Sequence, residues 1–333
     1  MTMTTIGLVC GDPSGVGPEL SAKLIRAKVR DENLRIAVFS GLESLEDGYR
    51  IAGMSGLEVP VVDSVKAIPD RPGAVLVQCG DDRGYSPGVA SAEGGVAVLS
   101  ALEAVAQSAV AGEIDAIVYG PLNKQAMWLA GHKAIDELHF FKERLGVSGF
   151  CCELNKQGEL WTTRVTSHIP LRLVTDNISV DTIVAATEAG VQAFEAAQKR
   201  RPRIAIAGLN PHLGEGGAMG REEIDVIMPA IKALRARGHD VAGLYPADTV
   251  FLRIASECID VVVTMFHDQG QIALKALGFA NTSTVLGGLP LPVVTASQGT
   301  AYDIVGRNLA DPTGLINAFE LAHQLAVSRG KKS

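Results

Sequence analysis

The chain has 333 residues, 47% apolar, 5% aromatic and 20% charged, with a formal net charge of −7. That length accommodates two domains of ordinary size, and the composition is that of a globular protein, not a disordered chain. Acidic and basic residues are interspersed without a basic block, which argues against nucleic acid or an anionic membrane surface as a partner. In chain order, strands are predicted at 6–10, 36–39, 74–79, 116–119, 162–166, 204–207, 261–266 and 293–295. Helices are predicted at 18–29, 94–111, 180–199, 222–237 and 314–328. This alternation predicts an α/β fold of βαβ units with mostly parallel, helix-covered sheets. Most strands end in Gly, Asp, His or Asn, so polar chemistry gathers at one rim, where open parallel sheets bind their ligands.

No apolar run approaches bilayer length, and "MTMTT" passes straight into the first strand without a signal-peptide pattern. A cytoplasmic location is expected. Cys10, Cys79, Cys151, Cys152 and Cys258 are scattered, without CxxC spacing. They are expected to be buried free thiols in a reducing compartment, forming neither a disulfide framework nor a thiolate metal site.

The first strand runs into "GDPSGVGPE" (11–19) and then a helix. Glycines there allow close backbone approach to a ligand, which makes Gly11, Asp12 and Gly15 cofactor candidates. The glycines match neither a P-loop nor G-x-G-x-x-G, so a tight structural turn is the plain alternative.

Histidines carry the stronger signal. "RVTSHIPL", "IAIAGLNPHLGEGG" and "VVVTMFHDQG" each follow a strand with a histidine: His168, His212 and His267. Three imidazoles at three strand ends suit a divalent metal with a position left open for substrate. The alternative is that each simply caps its own strand end. His132, His139, His239 and His323 lack that context and are assigned to surface or helix positions. Glu215 follows His212, and Glu222-Glu223 open the next helix, where their charge suits the N-terminus. Asp248-Thr249 stand at a predicted helix start, as an N-cap or in a site role, and Lys275 follows His267 by eight residues. "SQGTAYDIVGRNLADPTG" (297–314) is a glycine-containing loop before a capped helix, with Gly299, Thr300, Asp303 and Asp311 as dinucleotide candidates.

Taken together and in order, "GDPSGVGPE", "GPLNK", "SHIPLR", "GLNPHLGEGG", "GREE", "YPADT", "HDQG" with Lys275, and "GTAYDIVGRNLADPTG" resemble the 4-hydroxythreonine-4-phosphate dehydrogenase family of vitamin B6 (pyridoxine) biosynthesis and its paralogues. The resemblance spans nearly the whole chain, and its C-terminal block is similar to the nicotinamide loop of isopropylmalate dehydrogenases. It implies two α/β/α domains of the isocitrate/isopropylmalate dehydrogenase-like type with an active-site cleft between them, in a homodimer. The expected division is 1–128 with 280–333 on the dinucleotide side, and 129–279 carrying the metal histidines and the dimer interface. It further implies oxidation of a secondary alcohol of a hydroxy acid by NAD or NADP, with decarboxylation where a β-keto acid forms. The metal, zinc first, or cobalt, manganese or magnesium, falls to His168, His212 and His267. Lys275 matches the family's substrate-contacting lysine, and Lys275 and Asp248 are the expected catalytic groups.

The family's His-Thr substrate pair aligns with Glu137-Leu138 in "IDELHFFKERLG", or, with a small shift, offers His139. Its substrate-binding Asn falls on Ser283 or Thr284, and its Arg on Val293 or Val294. A charge-assisted contact of that kind is worth roughly 1.5–3 kcal/mol. The expected activity is 4-hydroxythreonine-4-phosphate dehydrogenase-like, and these departures open the alternative of a different substrate: a non-phosphorylated hydroxy acid, a dihydrodiol dicarboxylate, or a four-carbon sugar-acid phosphate. An acyl-phosphate transferase of related fold is the competing enzyme class, and a non-catalytic metal- or metabolite-binding protein the competing non-enzyme.

Overall fold

A computed structural model of the chain describes residues 3–55, 59–80, 84–134, 136–278 and 282–330. The chain forms two compact units, Met1–Val147 with Leu289–Ser333, and Ser148–Gly288. These divisions differ from the expected 128/129 and 279/280.

The first unit opens with β1 (Thr4–Val9), α1 (Gly17–Lys28), β2 (Leu34–Ser40), α2 (Leu42–Ile51), β3 (Val61–Val62) and β4 (Gly73–Gln78). It continues through α3 (Ala92–Val110), β5 (Ala116–Tyr119), α4 (Lys124–Leu129) and α5 (Glu137–Arg144). Phe140 and Phe141 of α5 are buried, and Phe141 lies 5.9 Å from Tyr119 between ring centroids. That packing keeps the segment after residue 128 with the first unit.

The second unit comprises β6 (Cys152–Gln157), β7 (Leu160–Arg164), α6 (Val174–Asn177), α7 (Val180–Gln198), β8 (Arg203–Ala207), α8 (Met228–Ala236), β9 (Asp240–Tyr245), α9 (Ile254–Glu257), β10 (Val261–Thr264), α10 (His267–Gly278) and β11 (Thr282–Gly287). The chain then returns to the first unit as β12 (Val293–Ala296) and α11 (Thr313–Gly330).

In the first unit the strand order is β3-β4-β2-β1-β5-β12, every pair parallel. Ile6, Leu8, Ile36, Val38 and Phe39 are fully buried, as runs covered on both faces must be. Each such aliphatic side chain contributes about 1.5–3 kcal/mol by leaving water. In the second unit the order is β11-β6-β7-β10-β8-β9. Its β7, β10, β8 and β9 run parallel, while β6 is antiparallel to both β7 and β11. Trp161 meets Phe194 of α7 edge-on, their centroids 6.4 Å apart, beside the buried run 261–263.

Several expectations need correction. The strand expected at 162–166 lies two residues earlier, and β6, β9 and β11 were not anticipated. Within β6, Glu153 and Asn155 are buried, and polar residues in a core strand hide its period. The helix expected over 222–237 is a π-helical turn, Glu223–Ile227, followed by α8. Pro229 near the start of α8 has no N–H to donate, which interrupts the regular ladder there. All five cysteines are free, but Cys258 is exposed and Cys151 half-buried; only Cys10, Cys79 and Cys152 are interior. Burial pushes the Cys79 thiol up to about 12 and that of Cys152 to about 11, so both are protonated and inert. Among the described residues, no helix is long and apolar enough to cross a membrane.

Candidate active site

In the second unit, β7, β10 and β8 are adjacent and parallel, so their C-terminal ends share one edge. His168 follows β7, His212 follows β8, and His267 begins α10 directly after β10. Two of these ends are tied to each other. The Thr166 amide donates to the Met265 carbonyl at 3.1 Å, and the Thr166 hydroxyl donates to the same oxygen at 2.8 Å. His168 and His267 consequently lie 5.7 Å apart between ring centroids, inclined at 44°. Beside them is a cavity of about 260 Å³ lined by Thr166, Ile169, Leu171, Val174 and Phe266 as well as both histidines.

The third end is tied to the second by Gln269. Its side-chain oxygen accepts from the Met265 amide at 2.8 Å, and its amide nitrogen donates to the Gly208 carbonyl at 2.9 Å. Beyond Gly208 the backbone turns left-handed for five residues, from His212 (φ 52°) through Gly216 (φ 66°). His168 is left-handed too, at φ 52°. Such geometry costs an L-residue about 1–2 kcal/mol, and it concentrates where function requires it. His212 is exposed, like His168. Among the described residues, the ring nitrogens of the three histidines do not all come within 4.8 Å of one another. His168 and His267 are assembled as a pair.

The electrostatics suit ligation. Loss of solvent lowers the pKa of His267, the nearby Arg164 and His168 add to that, and the Asp268 carboxylate opposes it. A neutral imidazole is the form that binds metal. His267 Nδ1 is 2.8 Å from Asp268 Oδ1, which directs Nε2 away from that contact. His168 and His267 therefore offer two nitrogen donors of the kind that a divalent cation binds. Lys275 is exposed on α10, about 12 Å along the axis from His267 and about 80° around it. Asp248 is exposed before a 3₁₀ turn, Val250–Arg253, whose N-cap is Thr249.

Beneath the histidines lies a buried polar network that the sequence did not disclose. Arg164 is ion-paired with Glu153, both nearly inaccessible. Arg164 also donates to Asn155 Oδ1 at 3.0 Å and to Ser167 Oγ at 2.9 Å. Asn155 Oδ1 accepts from Gln271 at 2.9 Å as well, and Asn155 Nδ2 donates to Thr284 Oγ1 at 2.9 Å. Thr284 is thus occupied by a structural bond. Ser283 beside it is 3% exposed. The hairpin register carried a hint: Glu153 and Arg164 stand one step beyond the facing pair Leu154↔Thr163.

In the first unit, Asp12, Gly15 and Thr300 among the expected cofactor residues are tightly packed and bonded. The Asp12 carboxylate accepts from the Ser14 amide at 2.9 Å and from the Tyr302 hydroxyl at 2.5 Å. Burial raises its pKa in spite of these bonds, and the Tyr302 phenol is pushed up as well. A Cβ on Gly15 would lie 2.8 Å from the Thr300 carbonyl oxygen, so only glycine lets the two loops close on each other. The Val16 amide donates to that oxygen at 3.0 Å. Gly11 is left-handed at φ 90° and packs on Pro121. Gly299 is exposed, with open space around it, and Asp303 is exposed. Asp311 accepts from the Thr313 amide and hydroxyl at 2.9 and 2.6 Å, which lowers its pKa. It caps α11.

The expected substrate residues of this unit divide sharply. Leu138 is 6% exposed and Val293 and Val294 are fully buried, so the three side chains lie in the interior. Asp136 caps α5, accepting from the His139 amide at 2.9 Å, and lies 2.6 Å from His139 Nδ1. Glu137 occupies the first turn.

Residues 32–322 match the family described as Pyridoxal phosphate biosynthetic protein PdxA. A Pseudomonas aeruginosa protein, provisionally named 4-hydroxythreonine-4-phosphate dehydrogenase 2, is 40% identical over 330 residues, covering 96% of each chain. The crystal structure of 4-hydroxythreonine-4-phosphate dehydrogenase from Klebsiella pneumoniae superposes with a TM-score of 0.80 at 30% identity, covering 97% of this chain and 98% of that one. A terephthalate 1,2-cis-dihydrodiol dehydrogenase from Burkholderia xenovorans gives a TM-score of 0.68 at 27% identity, with coverage of 97% and 98%. The chain therefore belongs to the PdxA family and is a dehydrogenase.

Proposed function

We propose that the chain oxidises the secondary hydroxyl of a small hydroxy acid that carries no phosphate, with NAD or NADP as hydride acceptor and a divalent cation, zinc first, held by His168, His212 and His267. The observation that carries the metal assignment is the His168–His267 pair, 5.7 Å apart at adjacent parallel strand ends, where burial lowers the His267 pKa. When bound, such a cation lowers the pKa of a substrate hydroxyl and stabilises negative charge on its oxygen. The chain's own part is to hold and orient. Lys275 supplies a cation for the substrate carboxylate, and Asp248 a carboxylate for proton movement. Asp12, Tyr302 and Gly15 lock the two loops that support the nicotinamide cofactor, which carries the hydride chemistry.

The absence of phosphate is supported by the rebuilt recognition positions. Leu138, Val293 and Val294 are packed into the interior, and the α5 N-terminus is already met by Asp136 and Glu137. A phosphate placed there would face carboxylates instead of donors. A second assignment, a phosphate ester like that in the relatives' names, is favoured by the 40% identity to the Pseudomonas protein. NAD(P) reduction by the zinc- or cobalt-loaded protein, with and without chelator, separates the two. Chelator-sensitive turnover of a non-phosphorylated hydroxy acid or dihydrodiol is expected; turnover confined to 4-hydroxythreonine 4-phosphate would sink the first assignment. A homodimer is proposed as the working form, supported by the exposed Leu171, Leu252 and Ile272 of the second unit, and light scattering would check it.

A further inference from the structure

We propose that Glu223 is a positioning residue for His212, holding the left-handed turn that presents this imidazole. The inference rests on the assignment of His212 as a metal ligand. Glu223 is 2% exposed. Its Oε1 accepts from the Leu209 amide at 2.8 Å and the Asn210 amide at 2.7 Å. Its Oε2 accepts from Asn210 Nδ2 at 2.9 Å. The same Asn210 nitrogen donates to Glu222 Oε2 at 2.6 Å. Among the described residues, no lysine or arginine is ion-paired with Glu223, so this carboxylate is satisfied by N–H donors of the loop leading to His212.

Three further features show that the loop is built around the carboxylate. A Cβ on Gly214 would lie 2.9 Å from Glu223 Oε2, so the left-handed turn closes directly over it. His212, Leu213 and Glu215 all accept positive φ, a conformation that each L-residue resists on its own. Glu223 also begins the π-helical turn, where a negative charge meets the positive end of a helix. Two amides at the entrance of the turn, and the side chain beside them, are thus fixed by one buried group thirteen and fourteen residues away. An outer partner of this kind sets the orientation of a ligand, and its loss typically weakens metal binding about 10–100-fold.

The test is cobalt(II) titration of the full-length protein with chelator competition, reading affinity and the visible absorption bands of the ion. His212→Ala tests the underlying assignment: unchanged affinity in that variant would remove His212 from the site and the inference with it. If His212→Ala weakens binding, Glu223→Gln is expected to weaken it about 10–100-fold and alter the cobalt spectrum. In the His212→Ala background, Glu223→Gln should cause no further loss, because its effect passes through the missing imidazole. Unchanged affinity and spectrum in Glu223→Gln, or full additivity in the double variant, would overturn the positioning role while leaving the metal site standing. Should Glu223→Gln fail to fold, amide exchange in the wild type decides: Leu209 and Asn210 should be protected like β8, and rapid exchange at both refutes the anchor.

Discussion

Both units end parallel strands in loops that carry the expected chemistry, yet the two edges are built oppositely. In the first unit the loop after β1 is closed on its neighbours: Asp12 bonds Tyr302, Val16 bonds Thr300, and Asp12, Ser14 and Gly15 are buried. In the second, the loops after β7 and β8 and the start of α10 leave His168 and His212 exposed and His267 partly so, with their fixing bonds lying beneath them. A closed loop supports a ligand through its shape and backbone. An open one presents side chains and needs hidden anchors to keep them in place. In the second unit that task falls to Thr166, Gln269, Arg164 and Glu223, residues that carry no site signal in the sequence.

The largest expected effect follows from removing a presented side chain. Alanine at His168 or His267 should abolish stoichiometric zinc binding and lower kcat/KM by more than the about 10–100-fold that loss of an outer partner costs. Metal analysis and steady-state kinetics check this; a variant that keeps full metal content would break the contrast. Next comes the anchor layer. Arg164→Met strands the buried Glu153 carboxylate and should cost about 3–5 kcal/mol in urea unfolding. A loss below 1 kcal/mol would mean that the network is ornamental.

In the closed loop the effect should be conditional on pH. Burial raises the Asp12 pKa above its ordinary 3.8, so between that value and the raised one the folded chain binds more protons than the unfolded chain. Stability from this group therefore falls as pH rises through that window. Asp12→Asn removes the dependence, and the unfolding free energy of the variant should gain on the wild type as pH increases from 4. A constant difference would show that Asp12 is solvated. The smallest effect is expected at Gly299, where alanine meets nothing within 4 Å and should change stability by less than about 0.5 kcal/mol. Any rise in the KM for NAD in Gly299→Ala then reports direct cofactor contact, whereas Gly15→Ala, driven against Thr300, should lower stability first.

The parallel strands and long helices were legible because apolar runs and helical periods coincide with burial, as in 204–207 and 180–198. The strand-end histidines were legible for the same reason, since each follows a readable strand. The anchors were not. Glu223 resembles an ordinary helix-opening glutamate, and only the fold brings it to Leu209 and Asn210. β6 was hidden because the charges that make it look like a loop are paired across a hairpin whose register no local signal fixes. Leu138 and Val294 match family positions by alignment alone, and both are buried.

The discontinuity of the first unit has a consequence for biogenesis. Residues 148–288 form one unbroken stretch, whereas the first unit must wait for 289–333. On the ribosome, β5 therefore emerges with the edge that β12 will occupy still unpaired, and the side that α11 will cover still bare. The nascent chain carries that open edge until the whole intervening unit has been translated, which makes the first unit the aggregation-sensitive half during synthesis.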